Sequence, residues 1–422
     1  MRLILSLLSA ALLSGAGATT IRVLIASGGS VAVRVPILPS VPQGQPATSP
    51  AATGPASPQG WAAWTVGTAG AHLTLNGQDA GSDTLYLPPA PGSAVQIAGR
   101  NYRGGLLLRA GGGVVNAVNV LDLEDYLLGV VPAEMPSGWA AKGAGEALRS
   151  QAVIARTYAA QHINPGASWD LCATESCQVY GGVSRETPAG DDAVLSTRNQ
   201  VVSYGGLAAR TYFSSDSGGY TASSRETWGQ DLPYLQARPD PASQGPNSRW
   251  ALSLPLSQVS AVAARYGVRG QVQSVAVTSV SSSGRVQAIR LVSAGGSKTL
   301  EGAESGGFVR SLGAKSSRVT LSGLDPLILS GAGAGHGVGL SQWGAAGLAQ
   351  QGWNYLQIMG FYYAGASISS ILGADGGGTG AGGAELSAGV PLERAGEEWA
   401  RRQPDSPAAS LPGLFAAGLP PL

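Results

Sequence analysis

Leu123-Glu124-Asp125-Tyr126-Leu127-Leu128-Gly129-Val130-Val131-Pro132-Ala133-Glu134-Met135-Pro136 is where the chain changes its period. Leu123, Tyr126, Leu127 and Val130 fall at i, i+3, i+4 and i+7, one face of a short helix that Asp122 can cap and that Pro132 is expected to close. A second helical pattern runs from Ala144 to His162, with Leu148, Ala152, Ala155 and Ala159 as a small-residue stripe suited to close packing. Between the two helices Glu134 is expected in a loop, with Pro132 and Pro136 each fixing a backbone dihedral. A carboxyl group set among Val130, Val131, Met135 and Trp139 has the surroundings that keep a general acid protonated near neutral pH. The plainer alternative is that Glu134 caps the helix that follows, where negative charge meets the positive end of the dipole.

Outward from this segment the period drops to two. Ile21–Ile25 and Val31–Val35 alternate as strands, and Leu73–Leu75, Leu85–Leu87, Val95–Ala98, Leu106–Arg109 and Val114–Val120 are short apolar runs bounded by Gly, Pro, Asn or Asp. The expected organisation is a signal peptide over 1–18, a β-rich region over 19–110 interrupted by a Pro/Ala/Ser-rich loop at 40–60, a core over 111–368, and a disordered Gly/Ala/Pro-rich tail over 369–422. Met1-Arg2, the apolar run Leu3–Leu13 and Ser14-Gly15-Ala16-Gly17-Ala18 make up the export signal, with cleavage after Ala18 and no membrane span expected in the mature chain. The protein is therefore expected outside the cytoplasm, in the cell envelope, periplasm or medium. With 26 basic and 25 acidic residues the formal net charge is +1, which gives no electrostatic case for nucleic acid or an anionic membrane and favours a neutral, polar partner. Charged residues are 12% of the chain against 63 glycines and 26 prolines, a composition of turns and short strands.

Further residues are candidates by type. Arg149 and Arg156 share a stripe of the second helix with Glu146 and Val153, so two guanidinium forks point the same way; the alternative is an ordinary solvated face. Ser214-Ser215-Asp216-Ser217-Gly218-Gly219-Tyr220-Thr221 is a small-residue loop whose Asp216-Ser217-Gly218-Gly219 echoes the nucleophile loop of trypsin-like proteases. That reading lacks its partners, because His72 sits in a strand-like run, His162 ends a helix, and no Gly-x-Ser-x-Gly elbow exists. Gly335-His336-Gly337-Val338-Gly339-Leu340-Ser341-Gln342-Trp343-Gly344 combines glycines that admit a ligand with His336, Gln342 and Trp343 as hydrogen-bonding groups and a flat apolar face such as a sugar prefers. Cys172 and Cys177, the only cysteines, read as a small-loop disulfide in an oxidising compartment, with zinc as the lesser alternative because two more ligands would be needed.

Together these blocks resemble the SpoIID/LytB family of sporulation and cell-wall proteins. The matching stretches are Leu123 to Pro136, Glu146 to Tyr158, Cys177-Gln178-Val179-Tyr180-Gly181-Gly182, Tyr212 to Thr221, Trp228, Pro233-Tyr234-Leu235, Gly335 to Gly344 and Tyr362-Tyr363-Ala364-Gly365. The resemblance implies a peptidoglycan lytic transglycosylase without a cofactor, in which the glutamate of Glu-Met-Pro, here Glu134, is the catalytic acid and base. It further implies that Tyr212, Ser214, Ser217, Gly218, Gly219, His336, Ser341 and Gln342 line the glycan site and that Arg149 and Arg156 assist. Some relatives bind zinc near the cysteine loop, but the closely spaced histidine they use is absent here. The chain also departs in a few extra residues around Gly138 to Gly145 and in Arg149 where lysine is common. The expected fold is α+β, with mainly β flanking regions around a helical catalytic segment, two-lobed with a glycan groove. The expected partners are peptidoglycan glycan strands and, in the rival reading, a cell-wall amidase that a non-catalytic modifier would stimulate.

Overall fold

The computed structural model describes residues 19–37, 60–89, 92–372, 385–395 and 398. The signal segment, nearly all of the 40–60 loop, and residues 373–384, 396–397 and 399–422 of the expected tail lie outside them. Among the described residues helices and six sheets coexist in an α+β fold, and no helix there is long and apolar enough to cross a membrane. The described residues form two compact units, one drawn from 19–134, 159–187 and 370–387, the other from 135–158, 188–369 and 388–398. The boundary read at 110/111 falls inside the first unit, where Gly105–Gly111 and Val114–Asp122 pair as an antiparallel hairpin.

The first unit is built on two sheets. Thr20–Gly28 lies between Val114–Asp122 and the edge strand Leu171–Cys172 in a five-stranded sheet, and Ser30–Ile37 pairs with Gly60–Ala69 in a six-stranded one. Alternation dictates both, because Ile21, Val23, Val31 and Val33 are buried while their neighbours along the strand are more exposed. Helix α1 (Leu123–Glu134) follows directly from Val114–Asp122, and Asp122 Oδ1 accepts the Glu124 N–H at 2.8 Å as the cap.

Leu123, Tyr126, Leu127 and Val130 are all buried, as their spacing requires. Pro132 does not close α1; it sits inside the last turn, and Glu134 is a helical residue rather than a loop residue. An interior proline costs about 3 kcal/mol, and full burial of a valine returns roughly 1.5 kcal/mol or more. Val130 and Val131, both 0% exposed, therefore offset it.

The second unit carries helix α2 (Gly145–His162) up to Tyr158, with Leu148, Ala152 and Ala155 buried. Helices α3 (Pro188–Ser196) and α4 (Ser224–Trp228) follow. Helices α5 (Leu256–Arg265) and α6 (Gly302–Ser311) pack Val259, Val262, Phe308 and Val309 against Ile289, Leu291 and Leu300 of the antiparallel sheet Val272–Val280, Val286–Ser293, Gly296–Glu301. Helices α7 (Gln342–Gln350) and α8 (Tyr355–Tyr362) complete the unit. Part of the segment read as a disordered tail is folded: Val390–Pro391 pairs with Ser367–Ser370, and Leu392 is buried. A buried leucine and a strand partner supply what composition alone does not show.

Candidate functional site

Helix α1 delivers Glu134 half-buried at its last residue, and the backbone N–H of Val179 donates to its Oε1 at 2.6 Å. Loss of water around the carboxyl group raises its pKa above the ordinary glutamate value, and the Val179 hydrogen bond opposes this without cancelling it. Glu134 ends α1 rather than beginning the next element, and the 3-10 helix Ser137–Lys142 is entered at Pro136.

Val179 is fixed by everything around it. Cys172 lies in the edge strand beside Thr20–Gly28, Cys177 is joined to it by a disulfide, and the Cys177 N–H closes the turn on the Thr174 carbonyl at 2.9 Å. The next residue after Val179, Tyr180, is buried with its hydroxyl donating to Asn119 Oδ1 at 3.0 Å. Its ring packs on Tyr126 at 4.8 Å and on Tyr102 at 5.5 Å between centroids. Gly129 of α1 is bare because a Cβ there would stand 2.7 Å from Tyr180 Cε2 and 3.1 Å from the Gly182 carbonyl oxygen. The loop therefore lies directly on the helix whose end carries the acid. Zinc binds cysteine as thiolate, a form that the disulfide removes from both sulfurs.

The arginines separate by burial. Arg149, partly exposed, pairs with Glu146 and, at 3.0 Å, with Asp192. Arg156 is 0% exposed and donates to the carbonyls of Val194 at 3.1 Å and Gln200 at 3.2 Å, tying the end of α3 to the strand Gln200–Tyr204. It holds the architecture, and the substrate contact expected of it is corrected accordingly.

The other candidates gather in the second unit. Phe213–Ser214 runs parallel to Leu340–Ser341, and the bridges Asp216 to Ala334 and Ala222 to Val338 bring the Ser-Gly-Gly loop and the Gly-His-Gly segment together. Not every member faces outward. Ser217, 0% exposed, donates its hydroxyl to Asp240 at 2.8 Å, and its N–H reaches Ser341 Oγ at 3.1 Å. Ser341 in turn caps α7 through the Gly344 N–H at 3.2 Å. Burial pushes the Asp240 carboxyl up to about 6, against the hydrogen bonds from Ser217 and Tyr362. Ser217 and Ser341 thus carry an internal network, and a protease role for Ser217 falls because its hydroxyl serves a buried aspartate. Ser214 is largely buried and accepts the Gly337 N–H at 3.2 Å, while Gln342, also buried, reaches Gln151 at 3.4 Å. Gly218 and Gly219 form the turn at positive φ, as glycine allows.

Trp228 reaches the surface, with Tyr212 and His336 half-buried beside it. The rings of Tyr212 and Trp228 lie 4.5 Å apart and those of Trp228 and His336 5.2 Å apart, and Trp228 is 46% exposed. His336 Nδ1 accepts the Val338 N–H at 3.0 Å. Burial of the ring and the nearby Arg285 guanidinium push its pKa down to about 4, so it is a neutral wall and no base at neutral pH. Trp228 was quoted among the family blocks but not as a site residue; only the fold shows that it joins Tyr212 and His336.

These blocks match a known family. The model of the stage II sporulation protein SpoIID matches residues 111–204, the span that contains Glu134, Val179 and the disulfide. An uncharacterized protein of Brachyspira hyodysenteriae is 34% identical over 277 residues, 64% of this chain and 73% of that protein. The amidase enhancer of Bacillus subtilis is 31% identical over 294 residues, 58% of this chain but only 40% of the enhancer, so most of that protein has no counterpart in the match. Stage II sporulation protein D of Bacillus subtilis is 28% identical over 272 residues, 60% of this chain and 76% of that protein. With its acid-bearing helix, its cysteine loop and these relatives, the chain belongs to the SpoIID/LytB family.

Proposed function

We propose that the protein is exported and acts on the bacterial cell wall as a peptidoglycan lytic transglycosylase with Glu134 as its single acid and base. The observation that supports this most is the half-buried Glu134 carboxyl, raised in pKa and oriented by the Val179 N–H. A carboxylic acid that stays protonated above the usual range can donate to the glycosidic oxygen between N-acetylmuramic acid and N-acetylglucosamine as the C1–O bond breaks. The resulting carboxylate then takes the proton of the muramic acid C6 hydroxyl as that oxygen bonds to C1. The 1,6-anhydro ring forms, no water is consumed, and the acid is regenerated. The Tyr212, Trp228 and His336 rings suit the apolar face of a pyranose.

The test is incubation of the purified protein with peptidoglycan, with and without stem peptides, followed by mass spectrometry. Anhydro-muropeptides or anhydro-glycans are expected from the wild type and none from Glu134→Gln. If neither substrate yields an anhydro product, the enzymatic reading is overturned. The second reading, a non-catalytic modifier of a wall amidase, is favoured by the 31% identity to the amidase enhancer. It predicts that amidase turnover rises on adding the protein and that Glu134→Gln stimulates equally well.

A further inference from the structure

In the second unit the strands Trp250–Leu254, Leu327–Gly331 and Val319–Ser322 end together on a cleft of about 670 Å³. Trp250 and Val319 both pair with Gly331. That glycine lets the indole of Trp250 lie flat on the strand, since a Cβ there would overlap the ring. The indole Nε1 donates to the Gly333 carbonyl at 2.8 Å and so holds the ring in place. Two arginines line this wall: Arg249, exposed, and Arg318, partly buried, which also donates to the Gly218 carbonyl. No acidic residue is among those lining the cleft, and among the described residues neither arginine is paired with a carboxylate. Burial first, and then the like charge of Arg249, lower the Arg318 pKa, as two neighbouring cations would. The protein as a whole is nearly neutral, so this pair is a local placement rather than general basicity.

We propose that this cleft binds a carboxylate-bearing stem peptide of peptidoglycan, with Arg249 and Arg318 engaging the free carboxylate and the Trp250 wall packing on the peptide's apolar side chains. The inference rests on the cell-wall reading above. Guanidinium forks match a carboxylate oxygen pair, and each charge-assisted bond is stronger than a neutral one. A phosphate would satisfy the arginines equally, but a polyol phosphate has no apolar part to cover Trp250, Val319 and Ala332. A stem peptide rich in alanine does.

The experiment uses the full chain carrying Glu134→Gln, so that turnover is blocked and binding is read independently of cleavage. Isothermal titration compares a disaccharide-tetrapeptide, the same disaccharide without its peptide, and an oligo(glycerol phosphate). The expected result is that Arg249→Ala weakens the disaccharide-tetrapeptide about tenfold or more, that Arg249→Lys recovers part of the loss, and that binding of the bare disaccharide is unchanged. Arg249 is exposed, and circular dichroism verifies that each variant is folded. Equal affinity of the parent and Arg249→Ala for the disaccharide-tetrapeptide overturns the proposal, as does failure of the parent to bind it or preference for the glycerol phosphate. A wild type that yields no anhydro product overturns the catalytic reading alone and leaves this measurement to stand or fall by itself.

Discussion

Gly129→Ala tests whether the cysteine loop positions the acid. Alanine in place of glycine inside a helix gains about 1 kcal/mol of intrinsic propensity, so on a free helix the change would stabilise. Here the new methyl carbon would stand 2.7 Å from Tyr180 Cε2. The ring has no room to recede, being buried, bonded through its hydroxyl to Asn119 and packed on Tyr126 and Tyr102. Overpacking of this kind costs roughly 1–3 kcal/mol, so the net change is a destabilisation of up to about 2 kcal/mol, a decrease of roughly 1 M in urea midpoint at an m-value near 2 kcal/mol/M. Relief must come from movement of the loop, and Val179 is bonded to the acid one residue before Tyr180. Anhydro-product formation is therefore expected to fall by more than the folded fraction does. The assay pairs urea denaturation with product quantification by mass spectrometry under conditions where the variant is fully folded. A midpoint that stays or rises, with full activity retained, would refute the reasoning.

Other outcomes are expected at Glu134, Arg156, Arg149 and Trp228. Because the raised pKa of Glu134 keeps its acid form to higher pH, kcat/KM should fall as pH rises through that raised value, above the ordinary glutamate range. The same shift means that protonation stabilises the fold fully below the unfolded glutamate pKa and that this contribution is lost as pH rises through the folded one, so Glu134→Gln should flatten the stability profile there. Arg156→Ala strips the donors from the Val194 and Gln200 carbonyls and leaves a void, an expected loss of about 3 kcal/mol or more in urea unfolding. Arg149→Ala, removing partly exposed pairs, should cost under about 1 kcal/mol, and equal losses would contradict the assignment. Trp228→Ala should raise KM for glycan about tenfold with little change in kcat, as loss of a stacking surface would; a fall in kcat alone would argue against the aromatic platform.

Half-buried strands print their geometry in alternate residues, so Thr20–Gly28, Ser30–Ile37 and Val114–Asp122 were legible from Ile21, Val23, Val31, Val33 and their neighbours. The acid was legible as a residue but not as a helical one, because a proline signals a break while the burial that outweighs it is tertiary. Residues 250–331 gave no reading: their short apolar runs, broken by serines and glycines, do not by themselves say what covers them. Burial there arises only when Val286–Ser293 meets α5 and α6. The roles of Ser217 and Ser341 were hidden for the same reason, since Asp240, which accepts the Ser217 hydroxyl, lies outside both motifs. Arg156 looked like a surface cation because its stripe is shared with Arg149, and nothing local shows that α3 and the following strand cover it.

The first strand waits a long time for its neighbour. Arg22 is bonded to Asp170, 148 residues further along, and the edge strand at Leu171–Cys172 closes the sheet only from there. Closing so long a loop is entropically costly and slow, and until it happens Thr20–Gly28 presents an open hydrogen-bonding edge of the kind that recruits other chains. A nascent or truncated product ending before Asp170 is thus an aggregation hazard in vectorial synthesis. Attempts to express the helix bearing the acid as an isolated fragment should keep the polypeptide at least through Gly182.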